Sequence, residues 1–342
     1  MEGRMECGLC PRRCWLVPGR GGECGVRFNR EGEKALPFYG FITALGVDPI
    51  EKKPLYHFRP GTEILSAGFT GCNLHCPFCQ NWHISQKHDG PGRFYAPGEL
   101  VAAALKMDEA AGQLQTAGHP AIAYTYSEPL IHIEFLLDCM MEARKAGVAN
   151  VLVSNGCVNS EAAAEILNLT DAANIDLKCF SEETYAKVLG GNLSTVTNFL
   201  RTAAGKGVHL EITTLVVPGL NDSDTELDRC RDYIAELETI GNSIPWHLSA
   251  YHPAYKWSAP PTDPSFLISV ARRAKEKLPF VYTGNIAPSD GAFNDTLCPC
   301  CGKVLVSRKG YKTNSSGLSL KQENGKPLYF CASCGKKVPV RF

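Results

Sequence analysis

The sequence predicts an α/β fold in which six strand–helix units build a parallel sheet between two cysteine-rich modules. Between about residues 36 and 290, short apolar runs typical of strands alternate with longer stretches of helical periodicity. This alternation is the signature of a parallel sheet, because each strand is followed by a helical crossover. Cysteines are concentrated before and after the region. We therefore predict three domains, at residues 1–35, 36–291 and 292–342.

Six apolar runs predict the strands of the sheet, and a seventh run indicates one further short strand. The runs are residues 64–69, 121–126, 150–155, 173–178, 209–217 and 245–248, with 280–284 as the seventh. The helices predicted between them are residues 97–117, 131–147, 160–169, 181–189 with 193–204, 224–240 and 264–278. Three predicted starts carry residue types that cap helix N-termini, namely Ser160, Ser181 and Asp222.

The 16 cysteines of this 342-residue chain indicate metal binding rather than a disulfide framework. Disulfide frameworks belong mainly to secreted proteins, and the beginning of the sequence shows no signal peptide. We therefore expect a cytoplasmic protein in which metal sites organise the chain.

The first module carries four thiols spaced C-x2-C-x3-C-x9-C. They are Cys7, Cys10, Cys14 and Cys24. Four thiolates complete the coordination of a structural zinc ion or of an auxiliary iron–sulfur cluster. Electron relay would require iron, whereas a scaffold would tolerate either metal. Unligated thiols are the remaining interpretation.

The last module contains two C-x2-C pairs, each followed by a glycine, which is typical of zinc-ribbon knuckles. The expected zinc ligands are Cys298, Cys301, Cys331 and Cys334, with Cys300 as a bystander. Residues 298–342 are also basic, with nine Lys or Arg against Glu323 alone, although the whole chain has a formal net charge of zero. Such a surface suits an acidic partner, but a solvated basic surface without a partner explains it equally.

The third group of cysteines has the spacing C-x3-C-x2-C and consists of Cys72, Cys76 and Cys79. Three thiolates ligate three irons of a [4Fe-4S] cubane, so that the fourth iron keeps an open position. That position can chelate the amino and carboxylate groups of S-adenosylmethionine (SAM), whose reductive cleavage yields a 5′-deoxyadenosyl radical. The competing interpretation is a zinc knuckle that lacks its fourth ligand.

Polar and turn-forming residues follow the predicted strands, at the ends where barrels carry their active sites. They are Glu128, Asn155, Gly156, Asp176, Lys178, Pro218, Gly219 and His247. Glu128 suits the ammonium of SAM and also the fixing of its own strand end, since a proline follows it. The Asn155-Gly156 pair permits a tight turn near the ribose.

The remaining residues of this set suit the other parts of SAM. Asp176 and Lys178 point the same way, because strand side chains alternate, and they offer an acceptor and a cation. A structural ion pair is the alternative for these two residues. Pro218-Gly219 gives a backbone surface for the adenine. His247 can hydrogen-bond the nucleoside, or it is a satisfied core residue.

Several of these segments together carry a family resemblance. They are Gly-Cys-Asn-Leu-x-Cys-x-Phe-Cys-Gln-Asn from Gly71, Tyr-x-Glu-Pro from Tyr126, Asn155-Gly156, Asp-Leu-Lys from Asp176 and Val-Val-Pro-Gly from Val216. They resemble the radical SAM superfamily, specifically its pyruvate formate-lyase activating enzyme-like branch. The second motif reads Tyr-Ser-Glu-Pro here rather than Gly-Gly-Glu-Pro.

A closer resemblance spans nearly the whole chain. The first cysteine group, the segment Asp-Pro-Ile-Glu-Lys-Lys-Pro-Leu-Tyr-His-Phe from Asp48, Trp246-His247 and the cysteine-rich end are similar to the AmmeMemoRadiSam-system radical SAM enzyme. The resemblance implies a partial TIM barrel, (β/α)6, with one [4Fe-4S] cluster on the Cys72, Cys76 and Cys79 thiolates and reductive cleavage of SAM. In activating enzymes, the resulting radical abstracts hydrogen from a glycine of a partner enzyme.

Two further thiols, Cys157 and Cys179, follow the third and fourth predicted strands. They are candidate catalytic residues, as hydrogen donors or acceptors in radical chemistry. The alternative is that both are buried as small apolar side chains.

The sequence therefore predicts a radical SAM enzyme that abstracts hydrogen from a protein, peptide or small-molecule substrate. The expected partners are an acidic electron donor such as flavodoxin or ferredoxin and a protein substrate, with AMMECR-type or Memo-type proteins implied by the resemblance. Nucleic-acid binding is disfavoured, because few aromatic residues interleave the basic ones. The alternative from another class is a noncatalytic metal-binding regulator or scaffold that binds an acidic partner through its basic ribbon.

Overall fold

A mostly parallel eight-stranded sheet forms the centre of the protein. The computed structural model describes residues 3–87, 90, 92–112, 120–241, 243–287, 293–323 and 326–342. Six short strands lie outside this sheet and pair as β1 with β2, β3 with β4, and β5 with β8. They are β1 (Met5–Glu6), β2 (Trp15–Leu16), β3 (Phe28–Arg30), β4 (Glu33–Ala35), β5 (Phe41–Ile42) and β8 (Arg93–Phe94).

The strands of the central sheet follow one another in space in the order of the chain. They are β6 (Ala44–Pro49), β7 (Glu63–Gly68), β9 (Ala121–Thr125), β10 (Ala149–Ser154), β11 (Ala172–Asp176), β12 (His209–Val216), β13 (Trp246–Ala250) and β14 (Val281–Gly284). All neighbouring pairs are parallel except β6 with β7, which are antiparallel. The predicted parallel sheet is confirmed, and β6 is an additional edge strand that the sequence pattern did not indicate.

Helices connect the strands and cover one face of the sheet. They are α1 (Trp82–Ser85), α2 (Pro97–Gly112), α3 (Ile133–Lys145), α4 (Ser160–Leu167), α5 (Glu182–Thr184), α6 (Leu193–Gly205), α7 (Asp224–Glu238) and α8 (Pro264–Ala274). Short 3₁₀ turns occupy Ile50–Lys52 and Pro129–His132, and a π-helical turn occupies Tyr185–Leu189. Residues 113–117 of the predicted helix 97–117 lie outside the described residues, as does the predicted boundary at 291–292.

The caps of these helices agree with the prediction at one of three positions. Ser181 accepts a hydrogen bond from the Thr184 amide at the start of α5. Helix α7 is capped by Ser223, whose hydroxyl accepts from the Glu226 amide, and not by Asp222. The N-cap of α4 is Asn159, so that Ser160 is its first helical residue.

Different side chains pack on the two faces of the sheet, and this difference determines where the cavity lies. One face packs on the helices through large apolar side chains in the main core, among them Tyr124 and Leu152. On the other face, alanines at the strand starts leave room for Ile50, Leu55 and Phe58 from the segment between β6 and β7. This segment fills the interior at the amino ends of the strands, and the open space lies at their carboxyl ends.

The last module consists of two three-stranded sheets. Their strands are β15 (Thr296–Leu297), β16 (Val304–Lys309), β17 (Lys312–Asn314), β18 (Leu318–Glu323), β19 (Lys326–Cys331) and β20 (Lys337–Val338). The Arg308 guanidinium donates to the Tyr56 carbonyl at 2.7 Å, and the Arg341 amide donates to the His57 carbonyl at 2.8 Å. The module is therefore attached to the segment between β6 and β7. Among the described residues, the structure contains no helix of the length and apolarity that crossing a membrane requires.

Candidate functional site

A cavity of about 610 Å³ opens at the carboxyl ends of the strands. This volume lies within the range of small-molecule binding sites. Of the residues that the sequence singled out, the cavity is lined by Cys72, Cys76, Cys79, Glu128, Asn155, Asp176, Lys178 and His247. Gly156, Pro218, Gly219, Cys157 and Cys179 are not among its lining residues.

The loop after β7 presents the three cysteines of the C-x3-C-x2-C group to this cavity. The Cys72 sulfur accepts hydrogen bonds from the Leu74 amide at 3.3 Å and from the Asn155 side-chain amide at 3.7 Å. The Cys79 sulfur lies 3.3 Å from the Ser85 hydroxyl. Burial raises the pKa of Cys76 to about 12. Buried thiolates in this loop therefore need a bound cation to compensate their negative charge, which suits metal ligation.

Gly71 fixes the start of the cysteine loop. Its φ of +84° lies in the left-handed region that favours glycine. An added Cβ would lie 2.5 Å from the Cys24 carbonyl oxygen. The loop therefore packs directly against the first cysteine module. A second contact, from Arg12 Nε to the Asn73 carbonyl at 2.8 Å, reinforces this attachment.

Glu128 is buried at the end of β9 and ties two strand ends together. Its Oε1 accepts from the Ser154 hydroxyl at 2.7 Å and from the Leu130 amide at 2.9 Å. Its Oε2 accepts from the Asn155 amide at 2.9 Å. Burial raises the pKa of the carboxyl group to about 7, and these three donors oppose the increase. The fixing of its strand is thus visible in the geometry, and contact with an ammonium stays a prediction.

Asn155 connects the Glu128 region to the cysteine loop. Its side-chain amide donates to Asn73 Oδ1 at 3.0 Å, and its Oδ1 accepts from the Cys157 amide at 2.8 Å. Gly156 follows with a φ of +64°, in the turn that the prediction placed there. An added Cβ at Gly156 would lie 3.1 Å from the Ile175 side chain and 3.3 Å from the Phe199 ring, so this position faces the apolar core rather than the cavity.

Asp176 and Lys178 lie side by side at the end of β11, with Lys178 Nζ 2.9 Å from Asp176 Oδ2. Although burial opposes the charged amine, the negative charges of Asp176 and Cys76 raise the pKa of Lys178. The carboxylate is the more exposed partner, with a side-chain exposure of 34% against 16%. A fixed ammonium beside a partly exposed carboxylate thus faces the cavity near the cysteines.

His247 lines the cavity and belongs to a buried polar cluster around Glu211, a residue that the sequence analysis did not single out. Its Nε2 lies 2.7 Å from Glu211 Oε2, and His209 Nε2 lies 3.0 Å from Glu211 Oε1. The same carboxylate accepts from the Tyr56 and His57 amides, at 3.0 and 2.8 Å. The two imidazoles lower the pKa of Glu211 against the opposing effect of burial. A carboxylate within the predicted strand 209–217 was the sequence signal for it.

Several further cavity residues are ones that the sequence analysis did not assign to a site. Among them are Glu51, Lys52 and Lys53 from the turn after β6, Tyr56, Tyr126 from the end of β9, and Tyr311 from the last module. The turn belongs to the segment from Asp48 that carried part of the resemblance. The residues of this segment show neither helical nor strand periodicity, so the sequence analysis assigned no element to it.

Cys157 and Cys179 are both buried and have no lining contact with the cavity. Burial raises their pKa values to about 12 and about 11, respectively. Pro218 and Gly219 also lie beside the cavity rather than on its wall, and the Pro218 carbonyl accepts from the Trp257 indole at 3.2 Å. The roles predicted for these four residues stay predictions.

The two flanking cysteine groups differ in compactness. Cys298 and Cys334 sulfurs are 3.6 Å apart, Cys301 and Cys331 sulfurs are 3.7 Å apart, and all four lie within 4.8 Å of one another. Cys300 is exposed and outside this group. The thiols of the first module line one small space together with Arg27 and Asn73, and in the described part of the chain they do not form a group this tight.

Comparison with known proteins identifies the family. An uncharacterized protein of Methanocaldococcus jannaschii is 34% identical over 343 residues, which cover 99% of this chain and 96% of the relative. The model of the Radical SAM superfamily matches residues 68–230, which include the cysteine loop and the strand ends around the cavity. The chain belongs to the radical SAM superfamily.

Other radical SAM proteins share parts of the sequence and the fold. Pyruvate formate-lyase 1-activating enzyme of Escherichia coli K12 is 26% identical over 206 residues, which cover 58% of this chain and 79% of that enzyme. A radical SAM methyltransferase from Sphaerobacter thermophilus aligns with a TM-score of 0.50 and 14% identity, over 72% of this chain and 71% of that one. The latter likeness concerns the fold alone.

Radical SAM membership implies a [4Fe-4S] cluster and SAM as cofactors. The donor set of this chain fits the cluster, because three thiols from one loop face one cavity and two of them already have hydrogen-bonding partners on sulfur. When bound, the reduced cluster supplies the electron that cleaves the sulfonium of SAM.

Proposed function

We propose that this radical SAM protein is an enzyme that cleaves SAM reductively and abstracts hydrogen from a substrate. The observation that carries the proposal is the convergence of Cys72, Cys76 and Cys79 with the Asp176–Lys178 pair in one cavity. The cysteines leave one cluster position for SAM. The ion pair offers one group for each charge of a zwitterionic amino acid.

The other residues around the cavity would orient SAM rather than react. Asn155 bonds the loop through Asn73 and the Cys72 sulfur, so that it holds the ligand set in place. Glu128 acts through Asn155, whose amide it fixes. Both are positioning residues in this proposal. Adenine contact at Pro218-Gly219, ribose contact at Gly156 and nucleoside contact at His247 belong to the same proposal.

We also propose zinc for the last module. A tetrahedral site with Zn–S bonds of about 2.3 Å has sulfur–sulfur separations of about 3.8 Å. The separations of 3.6 and 3.7 Å support this metal. For Cys7, Cys10, Cys14 and Cys24, zinc and an auxiliary iron–sulfur cluster are both compatible with four thiols that line one space.

The finer activity that we propose is activating-enzyme-like oxidation of a protein, peptide or small molecule. The similarity to pyruvate formate-lyase activating enzymes supports it. The resemblance to the AmmeMemoRadiSam system suggests AMMECR-type or Memo-type proteins as partners. The basic surface with Lys336 and Lys337 would dock an acidic donor such as flavodoxin or ferredoxin.

Anaerobic reconstitution with iron and sulfide, followed by reduction in the presence of SAM, tests the proposal. We expect 5′-deoxyadenosine from the wild type and none from Cys76→Ala. Cys300→Ala is the matched control, because this exposed thiol belongs to no ligand group, and it should retain cleavage. Absence of 5′-deoxyadenosine from wild type that carries the full iron content would favour the noncatalytic regulator or scaffold instead.

A further inference from the structure

The cavity extends beyond the residues suited to SAM, to a wall built from the turn after β6. Lys52 and Lys53 of this turn flank the carboxylate of Asp48. Lys52 Nζ lies 2.7 Å from Asp48 Oδ1, and Lys53 Nζ lies 2.6 Å from Asp48 Oδ2. Both lysines line the cavity, while Asp48 lies behind them. We refer to Asp48, Lys52 and Lys53 as the lysine wall.

Burial makes the lysine wall unusual. The Lys53 side chain is only 3% exposed, and buried lysines are rare unless they are paired. Two ammonium groups face one carboxylate in the lysine wall, while the neighbouring Glu51 carboxylate has its own cation, with Arg308 Nε 3.9 Å from Glu51 Oε1. The wall therefore carries a surplus positive charge at the cavity surface. A negatively charged ligand group would balance that surplus.

Tyr126 holds the lysine wall beside the cysteine loop. Its ring lies under the Lys53 amine, 4.4 Å from Nζ to the ring centroid, and its hydroxyl donates to Asp48 Oδ2. Tyr126 adopts a φ of +69°, a strained conformation for a residue other than glycine. Gly68 makes room for it, because a Cβ there would lie 2.7 Å from the Tyr126 ring. Gly68 thus leaves the space that the Tyr126 ring occupies beside the lysine wall.

A buried acceptor without a partner lies next to the wall. Glu51 Oε1 accepts from the Gly61 amide at 2.8 Å, while Glu51 Oε2 has no hydrogen-bonding partner and lines the same cavity. Burial raises the pKa of this carboxyl group to about 7. In its protonated form, the free oxygen becomes a donor, as an anionic ligand requires.

Aromatic side chains complete this part of the cavity. Tyr56 contributes a ring from the segment between β6 and β7, Tyr126 one from the end of β9, and Tyr311 one from the tight turn between β16 and β17 of the last module. Tyr311 is 56% exposed and stands at the rim. Three aromatic rings around a cationic wall favour a flat ligand that carries a negative group.

We propose that Lys53, Lys52 and Glu51 bind the carboxylate or phosphate of a small aromatic substrate, with Tyr311 covering its ring. This inference rests on the proposed function, because it assigns the substrate class of the same cavity. It selects a small-molecule substrate over a glycine of a partner enzyme. The basis is a cation surplus and an unpartnered oxygen that SAM recognition at Asp176 and Lys178 leaves unused.

Calorimetric titration of the reconstituted, SAM-bound enzyme tests the site with three matched probes. They are 4-hydroxybenzoate, phenyl phosphate and the neutral 4-hydroxybenzyl alcohol. We expect at least one anion to bind ten times more tightly than the alcohol, and the better anion identifies which group the wall prefers. Lys53→Met should weaken anion binding tenfold or more, and Lys52→Met severalfold. Tyr311→Ala should weaken the binding of all three probes to a similar degree.

The matched control is Lys187→Met, which removes an exposed lysine paired with Glu183 on the surface. It should bind the probes as the wild type does. Equal affinity for alcohol and anions, no binding of either anion, or wild-type anion binding by Lys53→Met would overturn the inference. If circular dichroism shows that Lys53→Met is unfolded, unchanged anion affinity of Lys52→Met overturns it instead.

Deoxyadenosine formation without any probe separates the two proposals. Absence of this product from the wild type contradicts the proposed function, whereas probe binding is measured without turnover. Cleavage of SAM without anion binding contradicts only the lysine wall.

Discussion

Glu128 Oε2 accepts a hydrogen bond from the backbone amide of Asn155 at 2.9 Å and thereby joins the ends of β9 and β10. Because the Asn155 side chain contacts the Cys72 sulfur, the bond connects two strand ends to the cysteine loop. The hydrogen bonds that this carboxylate accepts all come from the protein itself. Glu128 therefore stabilises the relative positions of the two strand ends, and this structural role comes before any role of its charge.

Glu128→Gln should weaken this connection between the strand ends. The new amide group would place a donor against the backbone amide of Asn155 or of Leu130, and a buried donor without an acceptor costs about 1–3 kcal/mol. We expect the free energy of unfolding to fall by that amount in urea titrations and iron retention to fall with it. Glu236→Gln, at an exposed glutamate of α7, should change neither quantity. Equal stability of the two variants would contradict the role of Glu128.

Lys178→Met distinguishes a SAM ligand from a structural ion pair. Lys178 Nζ bonds Asp176 Oδ2 at 2.9 Å, and truncating one partner of such a pair leaves the other charge uncompensated. If the ammonium holds the SAM carboxylate, the dissociation constant of SAM should rise at least tenfold. Equilibrium dialysis with labelled SAM measures it. Reduced stability with unchanged SAM affinity, in this variant and in Asp176→Asn, would indicate the structural pair.

The adjacency of Asp176 and Lys178 was predictable, because period-two alternation alone puts both side chains on one face. The strands of the parallel sheet were also predictable, because each of them is a local run of apolar residues. The edge strand β6 was not, since Gly46 and Pro49 interrupt its pattern and its antiparallel pairing with β7 is a long-range contact.

Contacts between distant segments explain the other differences. Glu211 meets His247 because β12 and β13 pair in a register that puts His247 beside Thr213. Cys157 is buried where distant segments meet, because Asn73 of the cysteine loop donates to its carbonyl at 2.7 Å and Gly191 packs near its sulfur. Neither contact can be recognised from the local sequence. Side-chain roles that depend on register or on docked loops therefore required the structure.

Gly71→Ala should impair the cysteine loop more than its small size suggests. The residue has a φ of +84°, and its Cβ would lie 2.5 Å from the Cys24 carbonyl oxygen, which is backbone and cannot move independently. Strain of this kind costs about 1–3 kcal/mol. We expect fewer irons per chain after reconstitution and a lower thermal midpoint. Gly98→Ala is the control, since nothing lies within 4 Å of its added Cβ, and it should match the wild type.

Acidification should destabilise the protein in part through His132. Burial lowers the pKa of this imidazole to about 4 from an ordinary value of 6.5, and its Nε2 lies 2.8 Å from the Thr70 carbonyl. The unfolded chain therefore takes up a proton near pH 6.5 that the folded chain takes up only near pH 4. Its contribution is fully present above pH 6.5 and is lost as the pH falls, by about 3 kcal/mol at pH 4.

Denaturant titrations at several pH values between 7 and 5 check this contribution. His132→Gln keeps an N–H donor near the Thr70 carbonyl but has no imidazole to titrate. Its stability should decrease less steeply on acidification than that of the wild type. His83→Gln, at an exposed position of α1, should follow the wild-type curve. Parallel curves for wild type and His132→Gln would refute the assignment.

Removal of the metal from the last module should loosen its attachment to the segment between β6 and β7. The four sulfurs within 4.8 Å of one another belong to two knuckles that start β16 and end β19, so the metal joins both small sheets. Arg308 of β16 donates to the Tyr56 carbonyl at 2.7 Å, and a disordered module would lose this bond. We expect Cys301→Ser to lose one zinc per chain by elemental analysis and to expose the module to limited proteolysis. Cys300→Ser should retain the zinc and the proteolytic resistance, because its sulfur lies outside the group. Equal zinc content in the two variants would exclude the four-cysteine site.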